Sequence, residues 1–300
     1  MPEKMSRKGL TVVITGASSG FGKGIAEKLS ADGANVVLAA RRTELIEKLA
    51  KECGPHALAV TADVSKQEDM EHLTEAAVKN FGKIDVWINN AGLGIIGPFT
   101  ETPLADLVRL MEINLLGMMY GSHFALSHFK REGSGILINM SSFVSQVPLP
   151  YGAVYTASKF GITGLSAGLN LELELEGWKD IHVCAVHPWV TDTPWIEHAG
   201  NYSGHEIRLG PADDAEKVIG TVIALIDKPE KTVELGIKPK SAVISHHLAP
   251  ELTEKLNGAL LLAMLQKAPH AANTSGSLHI PQPEGTEVSG VLREKIEEKD

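Results

Sequence analysis

Residues 10–22 read Leu10-Thr11-Val12-Val13-Ile14-Thr15-Gly16-Ala17-Ser18-Ser19-Gly20-Phe21-Gly22. The run from Leu10 to Thr15 is short, apolar and β-branched, the pattern of a buried strand. A helical pattern follows from Lys23 to Ala31. A strand that passes through a glycine turn into a helix lets the helix N-terminus hold a phosphate. Gly16 permits the tight turn, and Gly20 and Gly22 let backbone approach a pyrophosphate and helix pack on sheet. The spacing is G-x-x-x-G-x-G, not G-x-G-x-x-G, so the strand–turn–helix context carries the reading of dinucleotide binding.

Outward from this turn, β and α patterns alternate. Strands are expected at Asn35–Ala39, His56–Thr61, Ile84–Ile88, Gly135–Met140, Ile181–Val186 and Thr232–Leu235. Helices are expected over Glu68–Phe81, Leu104–Lys130, the stretch opened by Tyr155, and a stretch opened by Pro211 at its first position and ending near Ile226. Leu169 to Glu176 alternates like a strand, but Leu and Glu are strong helix formers, and Leu165, Leu169 and Leu173 form an i, i+4 stripe, so it reads as helix. This βαβ spacing predicts an α/β, Rossmann-like doubly wound parallel sheet of about seven strands with helices on both faces. Residues 1–240 read as one cofactor-binding and catalytic domain. Residues 241–300 read as a C-terminal helix, His246–Lys267, and an extended tail.

Tyr155-Thr156-Ala157-Ser158-Lys159 places a phenol and an ammonium one helical turn apart on one face. A free phenol has a pKa of about 10, and a nearby cation favours its phenolate. A lysine together with a cationic cofactor ring is expected to bring the pKa down enough for Tyr155 to exchange a proton with a substrate oxygen. The second strand ends in Ala40-Arg41-Arg42 with no acid before Glu44. An arginine there accommodates a ribose 2′-phosphate where an acid would bind the 2′-hydroxyl. Asn89-Asn90-Ala91-Gly92 reads as a turn with positive φ angles.

The 300 residues are 43% hydrophobic and 22% charged, with a net charge of −9. That composition fits a globular protein with a sizeable core. The acidic balance argues against nucleic acid as the partner. No apolar run approaches the ~20 residues of a membrane span, and MPEKMSRKGL has no apolar signal core. A cytoplasmic location is expected. The only cysteines, Cys53 and Cys184, read as free thiols, and no metal set stands out. His187 reads as a hydrogen-bonded core histidine, and Glu172, Glu174 and Glu176 as a solvated helix face.

Thr15-Gly-x-x-x-Gly-x-Gly22, Asp63, Asn89-Asn-Ala-Gly92, Asn114, Ser142 and Tyr155-x-x-x-Lys159, in that order, resemble the short-chain dehydrogenase/reductase superfamily, in its branch of roughly 250-residue enzymes. The likeness runs from about Leu10 to Leu235. It implies catalysis by Asn114, Ser142, Tyr155 and Lys159, Ser142 rather than Ser141 because the family serine precedes the tyrosine by thirteen positions. Asn114 would support a water path from Lys159 to solvent. It also implies NAD(P) contacts from Gly16, Ser18, Ser19, Gly20, Phe21 and Gly22, from Arg41 and Arg42, from Asp63 at the adenine with Val64, from Asn90, Ala91 and Gly92, from Tyr155 and Lys159, and from Pro188, Val190 and Thr193. NADP(H) is expected in preference to NAD(H), although the turn has no basic residue before Gly22. One departure is Trp189, where such relatives usually have glycine after the proline. The resemblance also implies a homo-dimer or homo-tetramer through the helices Leu104–Lys130 and Tyr155–Glu176.

The expected activity is hydride transfer between nicotinamide and a carbonyl or alcohol carbon. A sugar-nucleotide epimerase or dehydratase is the alternative, but Gly16, Gly20 and Gly22 do not fit its Thr-Gly-x-x-Gly-x-x-Gly turn. A non-catalytic dinucleotide sensor would typically have lost the tyrosine or the lysine. Leu93–Ile96, Phe143–Pro150 and Trp189–Tyr202 are mainly apolar and favour a hydrophobic small-molecule alcohol or ketone. In the extension, Leu252, Leu256, Leu260 and Met264 form a stripe expected to be buried. Leu278, Ile280, Val288, Val291 and Leu292 are candidate anchors that hold the tail near the pocket mouth.

Overall fold

The structure, a computed structural model, describes residues 7–208, 212–235, 249–290 and 292. Among these residues nine strands appear in chain order: β1 Thr11–Thr15, β2 Asn35–Ala40, β3 Ala57–Thr61, β4 Val86–Asn89, β5 Ile95–Ile96, β6 Gly135–Met140, β7 Ile181–His187, β8 Gly200–Asn201 and β9 Thr232–Glu234. Seven form one parallel sheet in the order β3-β2-β1-β4-β6-β7-β9. In its middle Ile14 pairs with both Leu38 and Ile88. β5 and β8 make a separate parallel pair above the carboxyl edge.

The helices are α1 Gly20–Ala31, α2 Thr43–Cys53, α3 Gln67–Phe81, α4 Leu104–Met111, α5 Gly117–Glu132, α6 Ala153–Leu175, α7 Trp195–His198, α8 Ala215–Asp227 and α9 Pro250–Lys267. One face of the sheet is covered by apolar side chains of α1, α2 and α8, including Ile25, Leu29, Ile46, Val218 and Val222. The other is covered from α3, α5 and α6 through Met70, Leu73, Phe129 and Leu173 around Trp87. Coverage of both faces explains why β1, β2 and β7 read as continuous apolar runs without alternation. Strand order reverses between β1 and β4, so their carboxyl ends open the crevice where such folds take ligands.

Five expectations need correction. The helix expected over Leu104–Lys130 is broken by a π-helical turn, Glu112–Leu116, between α4 and α5. The Asn89–Gly92 turn uses no positive φ angle; Tyr151 is the one described non-glycine residue with one. Its asparagines serve hydrogen bonding instead. In α9, Leu252, Leu256 and Leu260 are exposed, and Leu261 and Leu265 are the leucines that bury, so the stripe faces outward. Ile280 is no anchor, being 78% exposed. Pro211, the start of the helix expected from His246, and Val291 lie outside the described residues. Pro211 does not open the helix expected from it: residues 212–214 are not helical, and the helix begins at Ala215, where the Asp214 side chain caps it by accepting from the Glu216 N–H at 2.9 Å.

Residues 268–290 form an ordered strip along the mouth of the crevice. Thr274 exchanges two backbone hydrogen bonds with Asn201, and the N–H of Ser277 donates to the His198 carbonyl. Leu278 is fully buried among Ile95, Leu107, Leu110 and Ile113, which is worth roughly 2 kcal/mol. Further on, the Glu287 carbonyl accepts from the Gly20 N–H at 2.8 Å, and Val288 packs on the core beneath α1. Leu292 is buried, and its N–H donates to Asp192 at 2.9 Å.

Candidate active site

The crevice begins at the glycine turn. Gly16 has φ +69°, and a Cβ there would lie 2.8 Å from the Cα of Ala91. A Cβ on Gly22 would collide with the Gly16 carbonyl oxygen. Only hydrogen fits at either place, so the turn stays close to the first turn of α1, whose leading N–H groups have no intrahelical acceptor. Thr15 Oγ1 accepts from the N–H groups of Asn90 (3.0 Å) and Ala91 (3.1 Å), and Asn90 Nδ2 donates to the carbonyls of Thr15 and Gly16. Asn89 is buried behind them, accepting from Trp87 Nε1 and donating to Asn139. This brace joins β1 to β4 where strand order reverses. A cradle that a Cβ would fill, beside a helix N-terminus whose Gly20 N–H is held in this structure by the Glu287 carbonyl, fits a pyrophosphate once that carbonyl gives way.

Tyr155 and Lys159 come from the first turns of α6. The Lys159 ammonium is buried, donates to the Met140 carbonyl at 2.8 Å, and lies 5.7 Å from the Tyr155 ring centroid. Burial alone brings its pKa down to about 8. Burial pushes the Tyr155 phenol up to about 12, against a hydrogen bond with Ser142 that lowers it. The direction is opposite to the one expected for Tyr155, because the lysine makes no resolved contribution and desolvation dominates. Ser142 caps the turn Phe143–Ser145. The Ser141 hydroxyl instead points into α6, donating to the Lys159 carbonyl or meeting Thr163 Oγ1.

Asn114 lies inside the π turn. Its Oδ1 accepts from the Leu93 N–H, while its Nδ2 donates to the Leu93 carbonyl, both at 2.9 Å, and to Ser158 Oγ. The side chain therefore ties α4–α5 to α6 beneath the Tyr155 turn. Asn114 and Gly22 sit behind the crevice wall. The other expected site residues all line one crevice: Gly16, Ser18–Phe21, Arg41, Arg42, Asp63, Val64, Asn90–Gly92, Ser142, Tyr155, Lys159, Pro188, Val190 and Thr193.

At the far end, Asp63 is held by Ser65, whose N–H and hydroxyl donate to Oδ1, and by Arg109 at 2.5 Å from Oδ2. Burial works to raise its pKa, but these partners hold the carboxyl below the usual range. Arg41 and Arg42 are half-buried. Arg42 donates to Ser18 Oγ (3.0 Å) and Ser19 Oγ (2.7 Å), and both arginines reach carbonyls of the C-terminal strip.

Sequence reading named Trp189 and, within the apolar stretch Trp189–Tyr202, Trp195, but several of the contacts here escaped it. Trp195 packs on Tyr155 with ring centroids 5.2 Å apart, and any Cβ on Gly94 would collide with it. Trp189 packs on Phe143 at 4.2 Å, so the departure from glycine supplies a wall of the pocket. Arg109, Ser65, Ser277 and His198 also escaped, because each acts from a loop or a distant helix with no local pattern. His187 is a core residue, hydrogen-bonded to Ser145 Oγ at 3.0 Å. Among the described residues no cluster suits a metal ion, and no helix is long and apolar enough to cross a membrane.

The sequence profile of the short chain dehydrogenase family matches residues 10–201. The chain is 33% identical over 258 residues to "Uncharacterized oxidoreductase YxnA" of Bacillus subtilis, covering 83% of this chain and 71% of that one. A 3-ketoacyl-(acyl-carrier-protein) reductase from Brucella melitensis, solved with NADH, is similar in structure. Its TM-score is 0.68 at 28% identity, over 77% of this chain and 98% of that one. An alcohol dehydrogenase from the archaeon Thermococcus sibiricus, solved with 5-hydroxy-NADP, has a TM-score of 0.65 at 28% identity, over 75% and 95%.

Proposed function

Because this chain belongs to the short-chain dehydrogenase family and is an NAD(P)-dependent oxidoreductase, we propose that it interconverts the carbonyl and alcohol forms of a hydrophobic small molecule, with Tyr155 as the acid/base. The bound nicotinamide supplies or accepts the hydride. Everything else is the work of side chains. The observation that carries the reading is the convergence of Ser142, Tyr155 and Lys159 on one crevice that also contains the glycine cradle.

Tyr155 retains its proton at neutral pH, which suits donation to a carbonyl oxygen. Ser142, bonded to the same phenol, positions that oxygen for transfer. Lys159 bears the charge that favours the phenolate in the reverse direction and reaches the ribose side of the site. Asn114 is a positioning residue that fixes the loop at Leu93 and the helix at Ser158. Leu93, Ile96, Leu149, Trp189, Trp195 and Ile196 form an apolar wall opposite the phenol, which supports a hydrophobic alcohol or ketone over a sugar.

NADP(H) is the proposed preference, with the 2′-phosphate at Arg41 and Arg42. The body to Leu235 is read as the catalytic domain and the C-terminal segment as its cover, in a cytoplasmic homo-oligomer. Activity should be measured on a panel of apolar ketones and alcohols with both cofactors. No turnover of any member with either cofactor, in protein that binds nucleotide, would refute the reading.

A further inference from the structure

Arg41 and Arg42 stand side by side at the carboxyl end of β2, half-buried, and among the described residues neither forms an ion pair. Burial weakens the hold of both on their protons, and Arg41 adds to the effect on Arg42. No carboxylate is hydrogen-bonded to either guanidinium, and Asp63 acts on Arg41 only from a distance, so the pair makes a site that favours an anion. Yet each terminal nitrogen of both already donates to an oxygen. Arg41 Nη1 donates to the Leu278 carbonyl at 2.9 Å and Nη2 to the Ser277 carbonyl. Arg42 Nη1 donates to the Glu284 carbonyl at 2.9 Å and the Gly285 carbonyl at 3.3 Å. Arg109 Nε shares the Leu278 carbonyl at 3.2 Å.

The strip is built to present these carbonyls. Gly276 and Gly285 have positive φ angles. A Cβ on Gly276 would collide with the carbonyl oxygens of His198 and Ala199, and one on Gly285 would lie 2.7 Å from His198 Nε2. His198 pins both sides, with Nε2 3.0 Å from the Gly285 carbonyl and Nδ1 3.1 Å from Ser277 Oγ. Backbone carbonyls therefore occupy both terminal nitrogens of Arg41, the fork with which arginine grips a phosphate.

We propose that the C-terminal strip competes with the cofactor's 2′-phosphate for Arg41 and Arg42. The strip's contacts at Ser277, Leu278, Glu284 and Gly285 open when a 2′-phosphorylated dinucleotide binds and stay closed on one with a free 2′-hydroxyl. The inference rests on the dinucleotide reading of the crevice. A phosphate oxygen and a carbonyl oxygen cannot take the same N–H, and they repel each other across a guanidinium. Linkage makes the effect reciprocal: what the strip costs the 2′-phosphate, the 2′-phosphate costs the strip. The strip thereby tunes cofactor choice and reports which cofactor is bound.

The probes are adenosine 2′,5′-bisphosphate and 5′-AMP, which differ only in the 2′-phosphate. In the full chain, amide hydrogen exchange over residues 277–285 is expected to speed up when the bisphosphate saturates the protein and to be unchanged or slower with 5′-AMP. Gly276→Ala, which dislodges the strip beside Ser277 without touching the arginines, is expected to raise the preference for the bisphosphate over 5′-AMP roughly tenfold, or about 1.4 kcal/mol. Deletion of residues 268–300 should do the same if the remainder folds. Protection of the strip by the bisphosphate, or a preference that falls or is unchanged in Gly276→Ala, would overturn the proposal and make the strip a part of the phosphate site or a bystander. Failure of both probes to bind the wild-type chain would instead remove the dinucleotide reading on which it stands.

Discussion

The Lys159 ammonium lies 5.7 Å from the centre of the Tyr155 ring and donates to the Met140 carbonyl. The two side chains share one helix face, but the lysine is turned toward the sheet. Its charge is buried without a carboxylate, and its pKa falls to about 8. The phenol, also desolvated, rises to about 12. At neutral pH the phenol is therefore protonated, and the ammonium keeps its charge by only about one pH unit. A phenolate becomes accessible only when further positive charge enters the crevice, as an oxidised nicotinamide ring would bring it.

Tyr155→Phe is expected to abolish turnover in both directions while leaving nucleotide affinity within a few-fold. Ser142→Ala should lower kcat by about 10²-fold or more, the scale for losing one donor to a reacting oxygen. Steady-state kinetics paired with nucleotide binding test both, and a Tyr155→Phe protein that keeps wild-type kcat removes the mechanism.

Lys159→Met should stabilise the nucleotide-free protein. The folded pKa of about 8 lies below the unfolded value of about 10.4. Below pH 8 both states are protonated, and the folded state carries the whole cost of the buried charge, about 3 kcal/mol at 1.36 kcal/mol per unit. Between about pH 8 and 10.4 the unfolded state binds more protons, so wild-type stability rises with pH relative to the variant. Denaturant titrations at pH 7 and above pH 10 check this, with a large difference at the first and convergence at the second. The variant should be inactive, and wild-type kcat/KM for carbonyl reduction should fall above about pH 8 as the ammonium is lost.

The sheet was legible because its strands are covered on both faces and read as unbroken apolar runs, and the glycine turn because backbone contact there excludes a Cβ. Tyr155, Lys159 and Ser142 were legible because one helix and one strand end hold them at fixed spacing. Four kinds of feature were not. Asn89 and Asn90 looked like turn formers, yet Asn90 braces β1 against β4, a contact between residues about 75 apart in sequence, and Asn89 ties β4 to Asn139 of β6. The break in the α4–α5 helix has no glycine or proline at Glu112–Leu116 to announce it. Trp195 reaches Tyr155 only because Gly94, a hundred residues earlier, leaves room. The tail's composition signals disorder, and its order comes from carbonyls meeting Arg41, Arg42 and Arg109, which leave no side-chain pattern.

Gly22→Ala should uncouple binding from folding. The added methyl meets the Gly16 carbonyl, which is backbone and cannot turn aside. The start of α1 must move away from the turn, and the cradle widens. Nucleotide affinity is expected to fall at least about tenfold, or 1.4 kcal/mol. Circular dichroism should show the fold retained while calorimetric titration reports the loss.

Arg41→Ala combined with Ala40→Asp is expected to reverse the preference for NADP(H). The acid would accept from a ribose 2′-hydroxyl and repel a 2′-phosphate. The kcat/KM ratio for the two cofactors is the measurement, and a wild-type ratio that already favours NADH would defeat the assignment.

The last prediction concerns the outer face of α6. Gly164 and Gly168 have no atom within 4 Å of the place a Cβ would take. On the same helix Phe160 is 43% exposed and Leu171 61%, and across α4 Leu104 and Val108 are exposed as well. Small residues beside exposed large ones form an apolar surface that one subunit does not cover. A second copy of the chain would bury it through a two-fold interface, since the patch must then match itself. Light scattering of the wild-type chain should give a mass of at least twice the 32.1 kDa subunit. Phe160→Glu with Leu171→Glu places like charges on both sides of a self-matching patch and should yield monomers that keep nucleotide binding, because neither residue lines the crevice. A wild-type monomer, or an assembly indifferent to both charges, would move the interface off this helix.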